Sequence, residues 1–321
     1  MPSPLPPLTF AALVGAACAC AQQAPFTLDQ VMGFAFPTEL TAGPGGKVAW
    51  IENRRGVRNI RMAETPQYRA RALTPYSRED GNELSDLAWT PDGSAIVYTR
   101  GTGANPALNP EGGEEAVWAV ALDGSAPRRI GEGSSAKVSP RGDGIAFLRA
   151  GKVWWAPLDG KTEATQPFQE RGTCARIRWS PDGTRIAFES RRDDHSFIGV
   201  YGFDAEVLRY LDPSTDLDTM AEWSPDGRSI AFIRIPSSGL RPVREARRTG
   251  QPWSIRVASA ETGAGREVWR ALEGRGSVYR EITARNQILW AGDRLVFPWE
   301  RDGWTHLYSM PASGGEAKLL T

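Results

Sequence analysis

Residues 179–188 read WSPDGTRIAF and residues 223–232 read WSPDGRSIAF, near-copies whose leading tryptophans stand 44 positions apart. A looser copy, WTPDGSAIVY, spans 89–98, and a worn one, VSPRGDGIAF, spans 138–147. Self-similarity at ~40–50 residues, carried by short alternating stretches, is the mark of a β-propeller. Within the phrase, Ser-Pro-Asp-Gly is a turn: Pro presets φ, Asp can hydrogen-bond nearby backbone, and Gly takes the positive-φ position. The following Thr-Arg-Ile-Ala-Phe alternates like a half-buried strand. The tryptophan before the turn offers a large apolar ring for packing between blades.

A second element follows each hairpin. VWAVALDG (117–124), VWWAPLDG (153–160), FIGVYGFDAE (197–206), SIRVASAETG (254–263) and HLYSMPASGG (306–315) are alternating stretches that end in turns. Short runs come after them: PRRI (127–130), VLRYL (207–211), REVW (266–269) and AKLLT (317–321). Inner hairpin, third strand and outer strand make a four-stranded blade. The expected fold is therefore an all-β propeller with six units, near 43–75, 84–131, 136–170, 175–212, 219–270 and 286–321. The first unit, built on GPGGKVAWIE (43–52), is expected to be degenerate. The sixth, ILWAGDRLVFPWE (288–300), has lost the Pro of its turn. Two insertions, 236–251 and 271–285, stretch the spacing before it. Long insertions in repeat proteins collect on one face and often carry function.

The 321 residues hold 38 basic and 38 acidic side chains, a balance that argues against bulk nucleic-acid or anionic-membrane binding. Residues 5–21, LPPLTFAALVGAACACA, are apolar and small, and Ala19-Cys20-Ala21 fits a cleavage site. The expectation is a signal peptide at 1–21, a propeller over 22–321, and a periplasmic or secreted product. The leader lacks Lys and Arg, and lipidation at Cys18 or Cys20 is the alternative, though neither has Leu three positions before it. No other segment is apolar and long enough to span a bilayer. Cys174 would then be the one remaining cysteine, expected to be a buried structural thiol.

Chemistry is sparse. The two histidines, His195 and His306, are far apart in sequence, and no G-x-S-x-G elbow occurs. Zinc sites need clustered His, Cys or carboxylate ligands, and none is expected. No catalytic residue, cofactor or metal is assigned. The substrate-contact candidates are Asp193, Asp194 and His195 in one loop, Glu114 and Glu115 before a strand, Arg241 and Arg244 in a basic insertion with Arg247 and Arg248, and Glu300 with Arg301 at a blade turn. Each competes with a plainer role as a solvated loop or a salt-bridged hairpin.

RRDDHSFIGVYGFD (191–204), QPWSIRVASAETGAGREVW (251–269) and FPWERDGWTHLYSMPASGGEAKLLT (297–321), together with the WSPDG hairpins, carry a resemblance. Over roughly residues 26–321 the chain resembles the N-terminal propeller of the prolyl oligopeptidase family, in the bacterial, exported part of its dipeptidyl peptidase IV branch. The resemblance implies a propeller that screens peptide substrates for a C-terminal α/β-hydrolase domain, which would hold the catalytic triad and is absent from this chain. It implies seven or eight blades, so six would be an incomplete propeller, and a truncated or fragmentary product. It also implies an acidic pair for the substrate amine, but Glu114-Glu115 lacks the aromatic-rich motif around that pair. The alternative is a stand-alone binding propeller of the Tol type, which shares the WSPDG hairpins. Homo-oligomerisation is left open.

Overall fold

The computed structural model describes residues 26–102, 113–237, 249–284 and 286–321. The chain divides into two units, Met1–Phe34 and Ala35–Thr321. The described part of the first unit holds a short helix, α1 (Leu28–Met32), closed by a capping box in which Thr27 and Gln30 satisfy each other's backbone N–H groups. The Thr-x-x-Gln spacing carries that signal in the sequence.

The second unit is built of successive antiparallel sheets. Blade 1 contains β1 (Phe36–Gly43), β2 (Lys47–Arg54), β3 (Val57–Ala63) and β4 (Arg71–Ala72). It is a complete four-stranded blade that begins at Phe36, not the degenerate unit expected from Gly43. Its first strand escapes notice because its turn is Gly-Pro-Gly-Gly rather than Ser-Pro-Asp-Gly. Blade 2 comprises β5 (Leu84–Trp89), β6 (Ala95–Arg100), β7 (Ala116–Ala121) and β8 (Arg128–Glu132). Blade 3 has three strands, β9 (Ser134–Val138), β10 (Gly144–Arg149) and β11 (Lys152–Pro157). A single bridge between Trp155 and Thr165 stands where its outer strand would be, and Lys152 Nζ ties β11 to the carbonyls of Glu170 and Gly172.

Blade 4 is β12 (Thr173–Trp179), β13 (Arg185–Arg191), β14 (Ser196–Gly202) and β15 (Val207–Leu211). Blade 5 is β16 (Leu217–Trp223), β17 (Ser229–Ile235), β18 (Ser254–Ser259) and β19 (Gly265–Arg270). Blade 6 is β20 (Leu289–Ala291), β21 (Arg294–Trp299), β22 (His306–Pro311) and β23 (Lys318–Leu319).

Each junction between consecutive blades has its own apolar cluster. Ile51, Ile60 and Met62 of blade 1 meet Leu84, Leu87 and Tyr98 of blade 2. Val97 and Val117 meet Ile145 and Phe147; Val153 meets Ile186 and Phe188; Val200 meets Ile230 and Phe232. The blade 5–6 junction is the most aromatic, with Trp253, Trp269, Phe297, Trp299 and Tyr308 in edge and tilted contacts. A fully buried phenylalanine such as Phe188 contributes roughly 1.5–3 kcal/mol by burial. Among the described residues no such cluster joins blade 6 to blade 1, and Leu40, Leu289 and Leu307 are exposed.

The repeated tryptophans also stitch blades by hydrogen bonds. Trp179 Nε1 donates to the Lys137 carbonyl of the preceding blade at 2.9 Å, and Trp223 Nε1 donates to the Arg178 carbonyl at 3.2 Å. In the turns that follow them, Asp182 and Asp226 accept from the Ser180 and Ser224 hydroxyls and from the Thr184 and Arg228 backbone N–H groups.

Candidate functional site

In a four-stranded antiparallel blade, the connections between strands 1 and 2 and between strands 3 and 4 leave by one face. The connection between strands 2 and 3, and the link to the next blade, leave by the other. The first face carries the short Ser-Pro-Asp-Gly turns. The second carries the longest connections between the named strands, although the first also holds the seven-residue connection 64–70 of blade 1. Blades 1 and 3 make their 2–3 connection with two residues, Arg55-Gly56 and Ala150-Gly151, all at positive φ, the turn that matches strand twist. Blades 2, 4, 5 and 6 use longer connections, and the described sequence candidates lie in those of blades 2, 4 and 6: Glu114 and Glu115, Asp193 to His195, and Glu300 with Arg301. The 271–287 link between blades 5 and 6 opens on the same face.

The described candidates, Glu114, Glu115, Asp193 to His195, Glu300 and Arg301, share that face but do not converge on one constellation. Glu114 is exposed and pairs with Arg129 at 2.6 Å. Asp194 Oδ1 lies 2.6 Å from His195 Nδ1, a contact that holds the Asp194 carboxyl below the usual carboxylate range. The His195 ring meets Phe197 edge-on, and Arg192 lies over the same Phe197. Glu300 is engaged by Arg280 at 2.8 Å rather than by its neighbour Arg301, whose guanidinium sits over Trp299. Asp302 lies 3.5 Å from His306. Arg241, Arg244, Arg247 and Arg248 fall outside the described residues. No group of three or more His, Cys, Asp or Glu side chains placed to hold a metal occurs among the described residues. Cys174 is buried, and burial pushes its thiol up to about 11.

The site that the structure does assemble is the channel between the first strands. Asp86, Ser135, Arg176 and Met220, from four successive blades, line a cavity of ≈ 360 Å³ together with Lys137 and Arg178. It adjoins a second space of ≈ 400 Å³ toward the hairpin face, walled by Trp89, Trp179 and Trp223. Both are of ligand-pocket size. Burial pushes the Glu222 carboxyl above the usual range, against the pull of Arg178 beside it.

A bulge positions the channel residues. In blades 1 to 5 the first strand shifts register once, at Glu39, Asp86, Ser135, Arg176 and Met220, each at φ between 50° and 60°. Non-glycine residues rarely occupy that region, so the strain is part of the repeat. Carboxylates lock the bulges from blade to blade. Glu39 accepts from Leu87 N–H at 3.1 Å, and Asp86 accepts from Ser135 N–H at 3.2 Å. At blade 4 the bulge residue is Arg176, a cation that cannot accept. Glu189, from β13 and almost fully buried, takes over: it accepts from Met220 N–H at 2.9 Å and from Thr219 Oγ1 at 2.5 Å. Arg176 and Arg191 neutralise it at 3.1 and 2.8 Å.

The link between blades 5 and 6 reaches this same wall. Trp253 and Trp299 both donate to the Gly276 carbonyl, and fully buried Ser277 binds the Gly250 and Trp253 N–H groups, which fixes the link's base. Further along, Glu281 pairs with Arg176 at 2.9 Å, and Asn286 accepts from Arg178. Sequence reasoning named none of Lys137, Arg176, Arg178, Glu189 or Glu281. A signal existed in the phrase itself: counted three positions before its first residue, the copies read Asp86, Ser135, Arg176 and Met220.

No family model matches the chain. A curated relative, tricorn protease homolog 1 of Streptomyces coelicolor, is 24% identical over 216 residues, which is 57% of this chain and 20% of that protein. A puromycin-hydrolyzing peptidase of Mycobacterium tuberculosis superposes with a TM-score of 0.58 at 16% identity, covering 89% of this chain and 44% of that one. Prolyl oligopeptidase B of Galerina marginata gives a TM-score of 0.58 at 11% identity, covering 90% and 43%. The shared fold is the β-propeller. The chain spans about a fifth of the curated relative and less than half of each peptidase. At these identities the solved structures speak for the fold alone.

Proposed function

We propose that this chain is the substrate-handling propeller of an exported serine peptidase of the prolyl oligopeptidase kind, and does no hydrolysis by itself. The observation that carries the reading is the channel. Four blades build a ligand-sized space with aromatic walls toward one face and charged walls within. The likeness to a tricorn protease homolog, and to two peptidases in fold, supports a peptide as the occupant. Hydrolysis of the serine-peptidase kind needs an activated nucleophile beside a base. The contacts of His195 and His306 among the described residues are with Asp194, Phe197 and Asp302, and no hydroxyl or thiol stands among them.

The test is binding and turnover on the purified chain. Fluorescein-labelled pentapeptides should bind by anisotropy. Ala88→Trp, which fills the point where the two channel spaces meet, should weaken that binding at least tenfold with an unchanged far-UV spectrum. No serine-inhibitor-sensitive cleavage of proline- or alanine-linked chromogenic peptides should appear. A folded chain that binds no peptide would favour the stand-alone scaffold.

A further inference from the structure

The bulge at blade 4 departs from its neighbours in a directed way. Glu39 and Asp86 spend their side chains on locking the next blade, so their chemistry is used up in the scaffold. Arg176 has no such duty, because Glu189 has replaced it as the lock on Met220. The exchange buries the Glu189 carboxylate and places a guanidinium, about a third exposed, on the channel wall. Lys137 and Arg178, from the first strands of blades 3 and 4, line the same cavity. The lining therefore holds three cations against one carboxylate, Asp86. Asp86 is already engaged by Ser135 N–H and the Thr99 hydroxyl.

A carboxylate already demonstrates what this wall receives. Glu281 sits on Arg176 Nη2 at 2.9 Å, with half of its side chain exposed. A half-exposed pair of this kind is weakly held, because water competes for both partners. Glu189 does not depend on Arg176 alone, since Arg191 also pairs with it. The Arg176 fork can therefore exchange one carboxylate for another without unseating the blade. A planar guanidinium suits that exchange, because it presents paired donors to a carboxylate in fixed geometry.

We propose that the channel wall formed by Arg176, with Lys137 and Arg178 beside it, is a carboxylate subsite for peptides, and that Glu281 occupies it as a built-in competitor until a peptide carboxylate displaces it. The inference rests on the reading of the channel as a peptide site. The carboxylate can be a free C-terminus or an acidic side chain.

Three fluorescein-labelled alanine pentapeptides separate the possibilities: one with a free C-terminal carboxylate, one C-terminally amidated, and one amidated with a central glutamate. Anisotropy titrations at low and at 0.5 M salt should show either carboxylate form binding at least tenfold tighter than the neutral amide. The better of the two names the source of the carboxylate. Glu281→Gln should tighten carboxylate peptides severalfold and leave the amide unchanged. Arg176→Gln should bring carboxylate peptides down to the amide, with Arg178→Gln as a second variant where Arg176→Gln melts early. Equal binding of acid and amide peptides would overturn the subsite and leave the peptide reading standing. Failure of all three peptides on both the parent chain and Glu281→Gln would overturn both. An equal gain for the amide in Glu281→Gln would show that the link merely blocks the channel, and would also refute the subsite.

Discussion

The ring nitrogens of the repeated tryptophans allow a sharp test of how the blades hold together. Trp179 and Trp223 each donate to a carbonyl of the preceding blade, whereas Trp89 Nε1 is buried and makes no hydrogen bond. Trp→Phe keeps an aromatic ring and removes the donor. At Trp223 the lost bond is worth about 0.5–1.5 kcal/mol. The smaller ring forfeits roughly another 1 kcal/mol of burial. The expected cost is therefore about 1.5–2.5 kcal/mol. Trp179 should behave alike, since its bond is shorter and its ring stacks on Phe203 at 5.3 Å.

At Trp89 the sign changes. Phe again loses roughly 1 kcal/mol of burial. It also removes a buried unsatisfied donor, whose burial costs about 1–3 kcal/mol. The net should be near zero or stabilising, so Trp89→Phe and Trp223→Phe should differ by at least about 1.5 kcal/mol. The assay is equilibrium urea unfolding followed by far-UV circular dichroism, because the substitutions alter the fluorescence signal itself. A common slope across the series validates comparison of the midpoints. If Trp89→Phe costs as much as Trp223→Phe, ring volume alone decides, and the stitching hydrogen bonds contribute nothing measurable.

Other outcomes follow from particular contacts. Cys174 is buried with its thiol pushed up to about 11, so it should resist a thiol-reactive disulfide in the native state and react fully in urea. Glu189→Ala removes the lock on Met220, leaves its buried N–H unsatisfied, and should cost about 1–3 kcal/mol by chemical denaturation. The turn aspartates Asp92, Asp182 and Asp226 are all held below the usual range: Asp92, at about 2, and Asp226 chiefly by the Thr90 and Ser224 hydroxyls, and Asp182 by the Ser180 hydroxyl and the Thr184 N–H and hydroxyl, which outweigh its burial. Their folded-state values lie below the unfolded ones, so their stabilisation is present above about pH 4 and is lost as the pH falls through those folded-state values, about 2 for Asp92. The triple Asn variant should melt earlier at pH 7 and show a shallower fall in Tm between pH 4 and pH 2.

The scaffold was legible because it repeats. Trp179 and Trp223 stand in the same phrase, fall at the same strand end, and do the same job with their ring nitrogens. Blade 1 was misjudged because its turn uses Gly-Pro-Gly-Gly, so the hairpin signal shifted while the strands did not. Blade 3 keeps the phrase yet lacks a regular outer strand, which the inner hairpin could not reveal. The candidate site was not legible from conspicuous residues. His195, Glu114 and Arg301 attract the eye because they are charged and irregularly placed, and irregular placement is what loops produce. The channel residues hide inside the repeat. Three positions before the phrase, the backbone makes the same strained bulge in each of blades 2 to 5, so its geometry carries no information about function. What varies there is the side chain: Asp86 accepts, Ser135 is small, Met220 is apolar, and Arg176 can only donate. A donor at a position built for an acceptor forces a compensation elsewhere, and Glu189 is that compensation. In a repeat protein, the place to look for function is therefore a residue whose chemistry contradicts its own repeat position and whose structural duty a neighbour has taken over.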